Sequence, residues 1–131
     1  GTLCYWPPER FEPEKKKFDV RADIWSLGIT LVEIVRGSVP YKDKHGKIPN
    51  NIILLQNLIL SLDTKKLVEE TFSKTAFTNE TREFVELCLN RIETRPKYDG
   101  LKETEFYKKY GSVENKEREK IVEKWIQFYK L

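Results

Sequence analysis

Arg21-Ala22-Asp23-Ile24-Trp25-Ser26-Leu27-Gly28-Ile29-Thr30-Leu31-Val32-Glu33-Ile34-Val35-Arg36-Gly37 is the stretch that decides what this chain can fold into. Between Ala22 and Val35 the only polar side chains are Asp23, Ser26, Thr30 and Glu33, spaced by three, four and three. On a helix that spacing gathers them into one narrow stripe along an otherwise apolar cylinder. Such a helix is expected to be buried on nearly every side. Its ends are as clearly marked: Asp19 stands where an N-cap belongs, Gly37 where a left-handed stop belongs, and Pro40 cannot extend the helix. The reading is a central helix from about Val20 to Arg36.

Working outward, Gly1-Thr2, Tyr5 and Pro8-Glu9 precede this helix, and Pro40-Tyr41 and Arg95-Pro96 follow it. Together with Asp23, Trp25-Ser26-Leu27-Gly28 and Gly37, they resemble the ordered landmarks of the second half of a eukaryotic protein kinase domain. Phe18-Asp19-Val20-Arg21-Ala22-Asp23-Ile24-Trp25-Ser26-Leu27-Gly28-Ile29-Thr30, Cys88-Leu89 and Arg95-Pro96-Lys97-Tyr98 resemble the MAP kinase kinases. The branch they resemble most is the one that activates the c-Jun N-terminal kinases. The resemblance implies a mainly α fold, the helical C-terminal lobe portion of a protein kinase. Residues 1–110 would be a partial kinase domain, with the substrate-seating loop and C-lobe helices, and residues 111–131 a C-terminal tail helix.

Composition fits a piece of a larger domain. The chain has 131 residues, 39% of them hydrophobic, and no methionine, so it is expected to be cut from a longer product. A net charge of +3 with 34% charged residues is a small excess on a mixed surface, and it does not argue for a nucleic-acid partner. There is no run of eighteen apolar residues, so no membrane partner is expected. Cys4 and Cys88 form no small-disulfide pattern, and reduced thiols in the cytoplasm or nucleus are expected. Lys15-Lys16-Lys17 reads as a solvated loop, with a partner contact as the alternative. His45, the only histidine, reads as a loop residue because no metal-ligand spacing surrounds it.

Along the chain, an opening loop is expected to about Arg10, then a variable loop to Phe18. After the central helix, a second helix is expected over Asn51–Leu60 and a short turn over Thr64–Glu70. A third helix starts at the N-cap Thr78, a fourth covers Tyr98–Tyr110 and stops at Gly111, and a fifth runs from about Asn115 to Tyr129.

The resemblance also implies roles. Glu9 matches the glutamate of the kinase Ala-Pro-Glu motif, and Arg95, 86 positions later, matches the arginine that pairs with it. A guanidinium offers a carboxylate a bidentate, charge-assisted pair, which would fix the substrate-seating loop to the helical core. Asp23 matches the aspartate that accepts backbone N–H bonds from the catalytic loop; its alternative is a charge favoured by the helix dipole. Trp25 is expected to pack in the core with one partner for its indole N–H. Gly1, Thr2, Leu3, Cys4 and Tyr5 occupy the substrate-binding segment, and Thr2 matches the threonine that bonds the catalytic aspartate and its neighbouring lysine in serine/threonine kinases. MAP kinase kinases usually carry cysteine at Thr2, methionine at Trp6 and alanine at Pro7, and the proline also removes a backbone donor.

The glycine-rich loop, strand lysine, catalytic aspartate and asparagine, and metal-binding aspartate of a kinase do not occur in Gly1–Leu131. No catalytic residue, cofactor site or metal site is therefore expected in this chain. The complete form would be a dual-specificity kinase of a stress cascade, using ATP and magnesium to phosphorylate threonine and tyrosine of a MAP kinase. Its upstream MAP kinase kinase kinase would dock on the tail helix around Trp125, unless that helix packs on its own domain. Two other readings share these landmarks: a catalytically dead relative acting as a scaffold or docking module, and an independent helical binding module.

Overall fold

The central helix, α1 (Val20–Arg36), starts and stops where its capping residues require. Asp19 accepts the N–H of Arg21 at 2.8 Å, and Gly37 turns the chain at φ 82° while its N–H bonds Glu33 O at 2.7 Å. A computed structural model describes residues 2–12, 19–42, 44–73 and 76–111. The lysine run at 15–17 and the tail helix around Trp125 fall outside the described residues.

All regular structure among the described residues is helical. Two 3-10 turns, Thr2–Tyr5 and Pro8–Phe11, precede α1. After it come α2 (Ile52–Leu60), α3 (Thr64–Thr71), α4 (Asn79–Cys88), α5 (Tyr98–Lys102) and α6 (Glu105–Gly111). Asn51, Asp63 and Thr78 cap α2, α3 and α4 with side-chain oxygens on first-turn N–H groups.

Four expectations are corrected. The opening loop is two 3-10 turns. Thr64–Thr71 is a full helix, because Asp63 caps it and Leu67, Val68 and Thr71 bury one face. Tyr98–Tyr110 is two helices, separated at Thr104. That hydroxyl donates to Leu101 O at 2.6 Å and accepts the Tyr107 N–H at 3.2 Å, closing α5 and opening α6. The fourth correction concerns α1, which is not buried all round: Leu27, Ile34 and Val35 are 38%, 47% and 36% exposed.

The opposite side of α1 organises the core. Trp25, Ile29 and Val32 pack with Ile59 of α2, Val68 of α3 and Leu89 beyond α4. Ile24 joins Phe84, Cys88 and Leu101 in a second cluster that ties α4 and α5 to the start of α1. Gly28 lets α1 and α4 approach this closely. A Cβ there would lie 2.7 Å from Leu89 Cδ2 and 2.8 Å from Cys88 Cβ, and Cys88 Cβ cannot swing aside. Overpacking of this kind costs about 1–3 kcal/mol, and valine adds further bulk with little gain in helix propensity. Gly28→Val is expected to lower the melting temperature of the full-length protein by several degrees. An unchanged melt would mean that α1 and α4 separate freely.

Candidate functional site

The polar stripe of α1 holds down the segment that runs from Thr2 to Tyr5. Ser26 Oγ lies 2.8 Å from the Tyr5 carbonyl and 3.1 Å from the Ala22 carbonyl, so one proton serves both. Two turns further along the helix, Glu33 Oε1 accepts the Tyr5 hydroxyl at 2.5 Å. That bond, reinforced by burial and by the Glu33 charge, pushes the Tyr5 phenol up to about 12. Tyr5 therefore stays a protonated donor through the physiological range. Thr30 bonds back to Ser26 O within the helix, at 2.8 Å. The Cys4 side chain is buried beneath the same turn.

Four residues on, the chain is anchored again, this time by charge. Arg95 and Glu9 are 3% and 4% exposed, and they form a two-pronged pair: Nη1 to Oε2 at 2.8 Å and Nη2 to Oε1 at 3.0 Å. The rest of the guanidinium is also used. Nε donates to Asn90 O and Nη1 to Arg21 O, both at 2.9 Å, and Cζ lies 5.1 Å from the centroid of the Trp25 ring. Each donor of Arg95 that faces a partner meets a full or partial negative charge, which is the condition for a buried pair to hold.

Between the two anchors Pro7 is buried, and its carbonyl accepts the Arg10 N–H at 3.1 Å. Trp6 packs on Phe11, with centroids 5.8 Å apart, and the Arg10 guanidinium lies 4.4 Å above its ring. The Trp6-Pro7 pair thus stiffens the link between the two 3-10 turns.

Arg21 was not singled out by sequence reasoning, yet it braces the site from below. It grips Asp19 through Nε at 2.9 Å and Nη2 at 2.7 Å, and it donates from Nη1 to Ile92 O at 3.0 Å. The Arg21 hydrogen bond holds the Asp19 carboxyl below its ordinary value. The available signal was an arginine two residues beyond an aspartate N-cap. Tyr5–Glu33 was likewise missed as a pair, although both residues were noted.

Of the other residues read from the sequence, Gly1 and the side chain of Thr2 lie outside the described residues, and Leu3 packs at the edge of the core. Asp23 is exposed in the first turn of α1. Trp25 is 2% exposed, and its indole N–H has no acceptor among the described residues. His45 is exposed. Among the described residues no group of three or more His, Cys, Asp and Glu could hold a metal ion, and no helix is long and apolar enough to cross a membrane. Burial pushes the Cys88 thiol up to about 12, which keeps it inert.

The sequence that builds this clamp and this seated segment also has relatives among known proteins. Residues 1–107 match the protein kinase domain family. The chain belongs to that family. Among its relatives, the dual specificity mitogen-activated protein kinase kinase 7 of Homo sapiens is 36% identical over 121 residues, covering 87% of this chain and 26% of the relative. The dual specificity mitogen-activated protein kinase kinase hemipterous of Drosophila melanogaster is 35% identical over 114 residues, covering 86% of this chain and 9% of the relative. The MAP kinase kinase PBS2 of Saccharomyces cerevisiae is 32% identical over 128 residues, covering 95% and 18%. The chain thus spans about a quarter or less of these relatives' lengths. Within the protein kinase domain, the helical architecture of the described residues matches the C-terminal lobe, and the landmarks from Tyr5 to Arg95 converge on α1.

Proposed function

We propose that this chain is the C-lobe portion of a dual-specificity kinase that phosphorylates threonine and tyrosine of a MAP kinase in a stress-signalling cascade. The observation that carries the reading is the double anchoring of the Thr2–Glu12 stretch, through Tyr5 on Glu33 and through Glu9 on Arg95. A segment tied at one end to the central helix, and at the other to Arg95, which itself donates to Arg21 O of that helix, is a rigid seat. Rigid seating lets a kinase hold a substrate hydroxyl in line for transfer, where positioning supplies much of the catalysis. Gly1, Thr2, Leu3, Cys4 and Tyr5 would line that seat, and Asp23, on the open side of α1, would receive the catalytic loop.

ATP and magnesium would be held by residues outside this sequence, because the glycine-rich loop, the strand lysine and the catalytic and metal-binding residues that hold them in kinases do not occur in Gly1–Leu131. The isolated chain is accordingly inactive in this reading. Upstream activating kinases would engage the complete protein, with residues 111–131 as a candidate docking element. Two free buried thiols are in keeping with a cytoplasmic or nuclear setting.

The test is phosphate transfer by the full-length protein to intact MAP kinases, with the modified residues mapped. Thr2→Ala is expected to lower turnover at least tenfold while the melting temperature stays within a degree or two. An active Thr2→Ala enzyme would remove the role given to Thr2. A full-length protein that binds MAP kinases but transfers no phosphate would favour the scaffold reading.

A further inference from the structure

We propose that the outer face of α2 joins two copies of this protein, in an antiparallel pair whose two-fold axis passes beside Asn57. From Ile48 to Leu62 there is no charged residue, in a chain that is 34% charged. α2 uses only one face for its own core: Leu55 and Ile59 are buried, and Leu58 packs beside them. On the other side Ile53 is 65% exposed, more than any other large apolar side chain among the described residues, and Ile52, Leu54 and Leu60 are exposed with it. Ile48, just before the helix, adds a fifth. Together the five expose roughly 450 Å2, as much as the largest apolar patch on a typical monomer, and such a patch is often a contact surface.

The order of residues on that face selects a second copy as its occupant. Ile53, Asn57 and Leu60 are all exposed and are spaced by four and three, which lines them along the middle of the face with the spacing of a coiled-coil seam. Asn57 stands between the two apolar residues. An antiparallel two-fold there sets Ile53 against the partner's Leu60, Leu60 against the partner's Ile53, and Asn57 against the partner's Asn57. A carboxamide is donor and acceptor at once, so two of them bond reciprocally, whereas a lipid surface would strand the amide in hydrocarbon. A single asparagine in an apolar seam also fixes register. Charge selects the direction. Lys42, Lys44 and Lys47, against one Asp43, precede α2. A parallel pair would bring the two basic segments together. The antiparallel pair holds them apart by about 13 Å, the length of nine helical residues, and sets each toward the negative C-terminal end of the partner's helix.

This inference needs only the fold, not the kinase reading, and its test measures association rather than phosphate transfer. An apolar area of this size belongs to small, transient interfaces, so sedimentation equilibrium of the full-length protein is expected to show a monomer–dimer equilibrium with a Kd of roughly 10–100 µM. Ile53→Lys should raise that Kd at least tenfold and leave the melt of the dilute monomer unchanged, since the side chain is exposed. Leu60→Glu should weaken the pair similarly. The double variant Ile53→Lys/Leu60→Glu sets opposite charges together at both ends of an antiparallel pair, and it should associate at least threefold more tightly than either single variant. In a parallel pair the same double variant would oppose like charges twice and associate more weakly than either, which would overturn the proposed arrangement. A full-length protein that stays monomeric at several hundred micromolar, because another of its segments or a different protein covers α2, would overturn the proposal. So would a dimer that Ile53→Lys leaves intact.

Discussion

Arg95→Ala is expected to destabilise the full-length protein by about 3–5 kcal/mol, the usual cost of stripping one partner from a buried ion pair. Glu9 would be left 4% exposed with its charge unmatched, and the carbonyls of Asn90 and Arg21 would lose their donor. Glu9→Ala should be costly for the mirror-image reason. The double variant should be much less destabilised than the two losses added together, because removing the second charge relieves what the first removal exposed. Arg95→Lys should fall in between, since an ammonium cannot reproduce the two-pronged fork or reach both carbonyls. Chemical denaturation of the four proteins measures the coupling. Strict additivity would mean that the clamp is two independent contacts. Kinase activity should fall along with stability, because the Pro8–Phe11 turn loses its anchor.

The residues that made α1 legible are those whose chemistry is local. A carboxylate cap, a glycine stop and a proline act on their own neighbours, so the span Val20–Arg36 could be read directly. The 86-residue separation of Glu9 and Arg95 could not be read from periodicity; it came only through the resemblance. Tertiary context decided the rest. Thr104 looked like an ordinary helix residue until its hydroxyl was seen bonding on both sides. The polar stripe was visible as a pattern, but not that Ser26 and Glu33 would grip Tyr5 while Thr30 turned back on its own helix. Arg21 was hidden because its partners are a cap residue and a backbone carbonyl 71 positions away. The tail around Trp125 lies outside the described residues, and its docking role rests on resemblance alone.

The open side of α1 gives the second large effect. Asp23, Leu27 and Ile34 follow one another at spacings of four and seven, so they share a face, and that face is turned to solvent here. An exposed leucine is ordinary, but two large aliphatic residues in line on the central helix of a lobe form a seam that another element is expected to cover. In the proposed kinase, the cover is the catalytic loop. Leu27→Lys with Ile34→Lys should therefore act in opposite directions in two settings. In the isolated chain, which is expected to aggregate and to bind a hydrophobic dye with a broad melt, the charges should improve solubility and sharpen the melt. In the full-length protein they would be forced under the covering element. Each lost apolar contact is worth about 1.5–3 kcal/mol before the cost of burying charge, and the pair should abolish activity and unfold a marginally stable domain. Dye binding and melting of both proteins, with and without the two lysines, decide the matter. If the full-length protein tolerated the lysines, nothing would cover that face, and α1 would be the edge of a self-sufficient helical module.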